Sequence, residues 1–333
     1  MENSLEFVQS NNSAETAFQT TEVIDSTVQK LSESCHSVQG FDHVDPAPMP
    51  STESVIEIIQ QVRRIIFPGY FTQTVLSPSR FKYCLSQETK ALFEGLSQQI
   101  ILSVQHDCLR YDQPCYGCAS LGRNKTLQLI QTLPGLRALL VKDVQAAMQG
   151  DPAAKSYDEV IFSYPGLLAI TVYRMAHELY QLAVPLLPRM MTEYAHSHTG
   201  IDIHPGAKIG SSFFIDHGTG VVIGETTEIG NRVRLYQGVT LGALALPGEM
   251  INSFRNKKRH PTIEDEVIIY SNSTILGGET VIGARSTIGG NIWITESVPP
   301  DTKVLLKKPE LIYSGSNKKS LAKSRKVKFG KNI

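Results

Sequence analysis

The 333 residues carry 32 lysines and arginines against 32 aspartates and glutamates, a formal net charge of zero, with 41% hydrophobic residues. That balance argues against a nucleic-acid or membrane-surface protein as a whole, and no run nears the roughly 18 apolar residues of a membrane span. The length accommodates about two domains with a substantial core.

Residues 1–50 are rich in Ser, Thr, Asn and Gln, hold few large apolar residues and close on Asp45-Pro-Ala-Pro-Met-Pro50. This composition predicts a disordered N-terminal extension. It lacks the basic start and apolar stretch of a signal peptide, and its acids (Glu2, Glu6, Glu15, Glu22, Asp25, Glu33) disfavour an organellar transit peptide, so a cytoplasmic location is expected. A helical domain follows over 51–199. Ser51-Thr-Glu-Ser54 supplies cap chemistry for a helix through Val55, Ile58, Ile59, Val62 and Ile65, stopped by Pro68-Gly69. The pattern predicts a second helix from Ser86 to about Leu109, then Leu127 to Leu133 and Leu136 to Met148, broken at Pro134-Gly135. Helices over Pro165 to Tyr180 and Pro185 to His196 each carry proline near the first turn. Cys35, Cys84, Cys108, Cys115 and Cys118 form an odd set without framework spacing, which fits reduced thiols. Cys115-Tyr-Gly-Cys118 with His106 and Cys108 is too weak a pattern for a zinc site, and no metal is assigned.

From Ile203 to Val298 an aliphatic residue returns every six positions: Ile203, Ile209, Ile215, Val221, Thr227, Val233 and Val239, then Ile263, Ile269 and Ile275, and after a one-residue slip Ile282, Ile288 and Ile294. A period of six suits neither a helix nor a simple strand; it marks a hexapeptide β-helix, in which stacked aliphatics fill the axis of a triangular coil. Thr227 is the one weak position. The β-helix is assigned to 200–298, with a polar loop over 245–260 extruded from it, and Pro299-Pro300 ends the coils. The tail over 299–333 is basic towards its end (Lys318, Lys319, Lys323, Arg325, Lys326, Lys328, Lys331).

Three pieces in the coils bear chemistry: Asp202-Ile-His-Pro205, Ile215-Asp-His-Gly-Thr-Gly220 and Lys258-Arg-His-Pro261. His217 follows Asp202 by 15 residues where a coil takes about 18, a spacing that lets the acid accept from one imidazole nitrogen while the other faces substrate. With Asp151-Pro-Ala, Tyr173-Arg174, Asp216-His-Gly-Thr-Gly220, Gly224-Glu-Thr226, Gln237-Gly-Val-Thr-Leu-Gly242 and Arg259-His-Pro261 in order, the chain resembles the serine O-acetyltransferases in their longer form. The resemblance implies an α+β fold, helical domain first, then a left-handed parallel β-helix. It implies acetyl transfer from acetyl-CoA to L-serine without an acyl-enzyme or a metal. His217 would be the general base, oriented by Asp202. Asp151 and Asp216 would hold the serine ammonium group, and Arg259 and His260 its carboxylate. Gly242, Ser271, Gly289 and Gly290 would line the coenzyme A path, although Ala243-Leu-Ala-Leu-Pro247 replaces the family's glycine-rich loop. It further implies a homo-oligomer, trimer or dimer of trimers, and contact with O-acetylserine sulfhydrylase through the terminal Ile333. The alternatives are another hexapeptide-repeat O-acyltransferase acting on sugars, a hydratase of the carbonic anhydrase type with His204, His217 and His260 on zinc, and a non-catalytic scaffold.

Overall fold

The structure, a computed structural model, describes residues 3–37, 48–72, 75–114, 116–245 and 257–307. Among these, helices α1 (Asn3–Ser37), α2 (Thr52–Ile66), α3 (Phe81–Arg110), α4 (Cys118–Gly150), α5 (Tyr157–Ser163), α6 (Pro165–Gln181) and α7 (Leu187–Thr199) precede a column of short strands. No helix of the described residues is long and apolar enough to cross a membrane. Ser51 caps α2 as its sequence predicts, its Oγ accepting the Ser54 N–H at 3.2 Å.

Four expectations change. Residues 3–37 are helical where disorder is expected: apolar content is low, but the segment holds neither Gly nor Pro to interrupt a helix. Helix α4 runs unbroken through Pro134. A proline inside a helix costs about 3 kcal/mol, yet Leu129, Leu133, Leu136 and Leu140 are buried on both sides of it. Burying each is worth roughly 1.5–3 kcal/mol, which offsets the lost bond. Helix α7 starts at Leu187, with Pro188 in its first turn in place of Pro185. Cys118, expected as a reduced thiol, is disulfide-bonded; Cys115 lies outside the described residues.

The strands form three all-parallel sheets of five, four and five strands, the faces of a left-handed β-helix. The first coil is β1 (Asp202–Ile203), β2 (Lys208–Ile209) and β3 (Phe214–Ile215), one strand on each face. The six-residue period is present but in two inward columns. One runs Ile203, Ile209, Ile215, then Ile223, Ile229, Leu235 and Leu241. The other, two residues earlier in each repeat, holds Ile201, Ala207, Phe213, Val221, Thr227, Val233 and Val239, all buried. Reading Val221 to Val239 as a continuation of Ile203 to Ile215 therefore crosses from one column to the other. Ile203 pairs with Ile223, a step of 20 residues, whereas Ile223 pairs with Leu241, a step of 18. The two extra residues lie in the corner after β3, which carries Asp216 and His217. Thr227 belongs to the second column, fully buried. Further along, Ile229 pairs with Ile263, a step of 34 residues in place of 18; most of the loop expected over 245–260, residues 246–256, lies outside the described residues. The slip before Ile282 is present, with Ile263 on Ile282, Ile269 on Ile288 and Ile275 on Ile294.

Adjacent coils are joined by backbone hydrogen bonds in both directions, as Asp202 N–H to Val221 O and Gly220 N–H to Gly200 O. First-coil carbonyls that point away from the second coil have no coil to bond, and buried carbonyls left unpaired are costly. Helix α6 supplies the donors. Tyr173 Oη reaches Ala207 O at 2.6 Å, and Arg174 reaches Ile209 O at 3.2 Å and Gly210 O at 2.7 Å. Arg174 is itself held by Asp143 of α4 at 2.7 and 3.1 Å, with Phe213 N–H on the same carboxylate at 2.8 Å. Tyr173-Arg174 is thus the fastening between helices and coils.

Candidate active site

The residues singled out in the sequence gather at two corners bordering the first face. At the corner between the third and first faces stand Asp151, Asp216 and His217. Asp151 caps the C-terminus of α4, where its extended backbone turns the chain towards α5. Its Oδ1 accepts the Ala153 N–H at 2.8 Å and its Oδ2 accepts the Tyr164 hydroxyl at 2.5 Å. The Tyr164 bond first, then the Ala153 N–H, hold its carboxyl below the usual range, with help from the charges of His217 and Arg234 and against a small opposing effect of burial. Asp216 follows β3, 14% exposed, and its Oδ1 lies 3.8 Å from His217 Nε2. His217 adopts a left-handed backbone (φ 57°), as do Gly218 and Gly220 in the same enlarged corner, and its side chain is 72% exposed. Asp202 heads the first face, paired with Val222, five residues beyond His217. Among the described residues no hydrogen bond or ion pair joins Asp202 to His217; the nearest cation to Asp202 is Arg189, at 4.0 Å.

At the corner between the first and second faces stand Arg259 and His260, organised by the Gly224-Glu225-Thr226 turn one coil below. Thr226 Oγ1 accepts both the Arg259 N–H at 2.9 Å and the His260 N–H at 3.1 Å. His260 Nδ1 in turn accepts the Thr226 backbone N–H at 3.1 Å. Because a backbone N–H only donates, Nδ1 is the bare nitrogen, and the neutral ring carries its proton on Nε2. Burial first, then the Arg259 charge, lower the His260 pKa to about 4, so the ring is neutral near pH 7. Glu225 forms a short ion pair with Arg259 and accepts the Tyr180 hydroxyl at 3.1 Å. Burial alone would raise its pKa, but the Arg259 bond and the His204 and Arg259 charges outweigh that and lower it. His204, on the same corner, has its own pKa lowered chiefly by burial.

The remaining assigned positions divide between the corners. Asp216, Tyr236, Tyr270 and Gly289 stack in register, with Tyr236 and Tyr270 rings parallel at 4.9 Å, so Ser271, Gly289 and Gly290 lie above His217. Gly242 lies at the other corner, in register with Leu276. Packing accounts for these glycines: a Cβ on Gly242 would meet Leu276 at 2.8 Å, and one on Gly290 would meet Ser271 O at 3.0 Å. The one metal-capable group among the described residues is Glu193, His196 and Asp202, not His204, His217 and His260. Its acids already face Arg189. Tyr164 and Tyr180 were not legible as site residues; the only signal for Tyr164 is its place before Pro165.

No family model matches the chain. It is 48% identical over 256 residues to a plasmid-borne serine acetyltransferase of Synechococcus elongatus, covering 76% of this chain and 80% of that one. It is 47% identical over 163 residues to a serine acetyltransferase of Mycobacterium tuberculosis, 49% of this chain and 67% of that one. Among solved structures, Entamoeba histolytica serine acetyltransferase 1 in complex with L-cysteine superposes with a TM-score of 0.65 at 35% identity, covering 77% of this chain and 87% of that one. Isoform 3 from the same organism, in complex with cysteine, gives 0.65 at 35% identity over 89% and 96%.

Proposed function

The chain belongs to the serine acetyltransferase family, and from that premise we propose how its own residues carry the reaction. The enzyme transfers an acetyl group to the hydroxyl of L-serine, yielding O-acetyl-L-serine for cysteine biosynthesis; acetyl-CoA is the donor and CoA the leaving product. The observation that carries the reading is opposite chemistry on two corners of one face. Asp151 and Asp216 present negative charge for an ammonium group, while Arg259 and the Nε2–H of neutral His260 present donors for a carboxylate. Fixing both ends of serine aims its hydroxyl, and charge-assisted bonds of this kind are the stronger ones.

His217 takes the hydroxyl proton as the oxygen attacks the thioester carbonyl; the carbon–sulfur bond breaks and the CoA thiolate recovers a proton. General-base help of this kind is worth ~10²–10⁴ in rate. Asp202 is proposed as its orienting partner, while in the single chain the nearer acid is Asp216 at 3.8 Å. Ser271, Gly289 and Gly290 line the donor's path up the His217 corner, and Gly242 lines it at the other corner.

The two corners are separated by a face of about 10 Å, which the ammonium and carboxylate of one amino acid, joined through a single carbon, do not span. A neighbouring subunit bringing its Arg259 corner to the His217 corner closes the site, so the active species is a homotrimer or a dimer of trimers. Coils 200–298 with loop 245–260 form the catalytic unit, on a helical unit of 51–199. The basic tail offers Ile333 to the sulfhydrylase that consumes the product, its carboxylate entering a site made for an amino acid.

The test is thiol release from acetyl-CoA with serine, homoserine and sugars as acceptors, for the parent and for His217→Asn. Serine should be preferred, and His217→Asn should lower turnover at least ~100-fold while acetyl-CoA still binds. Near-normal turnover would remove His217 as the base, and preference for a sugar would remove serine as the acceptor. A fully active monomer in sedimentation would remove the shared site.

A further inference from the structure

Tyr164 belongs to none of the motifs, and the link between α5 and α6 that it occupies would ordinarily serve only to connect helices. Pro165 follows it, and the residue before a proline is pushed out of the helical region; Tyr164 is accordingly extended (φ −80°, ψ 116°). From that pose it reaches back to the end of α4, bordering a small cavity with Gly166 and Ile215. Its hydroxyl donates to Asp151 Oδ2 at 2.5 Å. With Ala153 N–H on Oδ1, each oxygen of Asp151 receives one donor from the chain and keeps acceptor capacity for a ligand. The carboxylate is fixed in one orientation at the corner where His217 and Asp216 stand.

We propose that Tyr164 is a positioning residue for recognition of the acceptor's ammonium group, aiming the Asp151 carboxylate and thereby setting the preference for an amino acid over the same hydroxy acid without its amine. The inference deepens the assignment of Asp151 as an ammonium holder and rests on it. The low pKa of Asp151, caused first by this hydroxyl, agrees with the role: the carboxylate stays ionised at the acidic end of the working range. Tyr164's own hydroxyl is pushed well above its ordinary pKa by burial first and then by Asp151, so it remains a donor throughout.

The experiment compares the parent enzyme with Tyr164→Phe and Asp151→Asn, measuring serine KM, kcat, acetyl-CoA KM and inhibition by 3-hydroxypropanoate, which is serine lacking its amine. Phe fills the same volume, so the junction stays packed and a thermal scan confirms it. Loss of a hydrogen bond to a charged group should raise serine KM about 10-fold and lower kcat by less than about 3-fold, while 3-hydroxypropanoate inhibits as before. Without the donor the Asp151 pKa climbs, so the acid-side rise in serine KM should begin at a higher pH than in the parent. Equal weakening of serine and of 3-hydroxypropanoate, or unchanged serine KM in Tyr164→Phe, would overturn the inference. Should Asp151→Asn raise serine KM while Tyr164→Phe does not, the ammonium site stands and only the role of Tyr164 falls. If Asp151→Asn itself leaves serine KM unchanged, both fall together.

Discussion

Gly224→Ala is a one-carbon probe of the carboxylate corner. An ideal Cβ at this position would lie 2.0 Å from His260 Cδ2, 2.1 Å from Nε2 and 2.7 Å from Cγ. Ordinary contact begins near 3.4 Å, so the imidazole must move by more than an ångström. Gly224 does not have a positive φ, so alanine itself is unstrained and the clash is the whole perturbation. The ring resists, because Nδ1 accepts from Thr226 N–H and lies 2.9 Å from its hydroxyl. Overpacking costs about 1–3 kcal/mol and a lost hydrogen bond about 0.5–1.5 kcal/mol, a destabilisation of about 2–4 kcal/mol that should lower Tm by several degrees. Swinging Nε2–H away from the substrate carboxylate should raise serine KM about 10-fold or more, at ~1.4 kcal/mol per factor of ten. Steady-state kinetics with each substrate varied, beside calorimetry, reads both. Unchanged Tm and serine KM would show that the ring yields freely and that the corner is not built as described; an equal rise in the acetyl-CoA KM would show general damage.

Other outcomes follow from the same contacts. His260 is held neutral with its pKa near 4, below its ordinary value near 6.5. Its stabilising contribution is therefore complete above pH 6.5 and lost as pH falls towards 4, where the unfolded chain takes up the proton first. Denaturant titrations across that window should show a shallower loss for His260→Gln than for the parent; identical slopes would contradict it. Arg259→Leu should raise serine KM strongly and spare the acetyl-CoA KM, whereas equal effects would place the guanidinium on the donor. Arg174→Met leaves Asp143 buried without its cation and should cost about 3–5 kcal/mol in denaturant unfolding, with most of the loss recovered when Asp143→Leu is added. Deleting Ile333 should weaken binding to the cognate sulfhydrylase with acetyl transfer unchanged; unaltered affinity would end that idea.

The hexad pattern exposes the β-helix because inward side chains must be apolar whichever turn they sit on. It does not expose the two-residue enlargement at 216–222, since both inward columns accept valine and Val221 and Ile223 satisfy the pattern equally. Only the pairing of Ile203 with Ile223 separates them. Residue types also fail to say what a motif does: Tyr173-Arg174 is one of the motifs that carry the resemblance, and the carbonyls it satisfies reveal a joint. Conversely Tyr164 acts through a single contact to Asp151, and such a contact leaves no periodicity or spacing in a sequence. Helix α1 escapes for a different reason, as composition records how much apolar surface a segment can bury but not whether anything interrupts it.

The fastening beneath the first coil has a consequence for solubility. A parallel column ends in three strand edges at once, and the first coil's end carries carbonyls ready to accept from any incoming backbone. Stripped of α6 and α4, that end would be a template for chain growth, columns adding end to end into a fibre. Tyr173 and Arg174 act as a stopper by saturating those acceptors with side-chain donors that cannot themselves propagate a strand. An isolated coil fragment should accordingly grow filaments above a threshold concentration, while the chain with its helices should not.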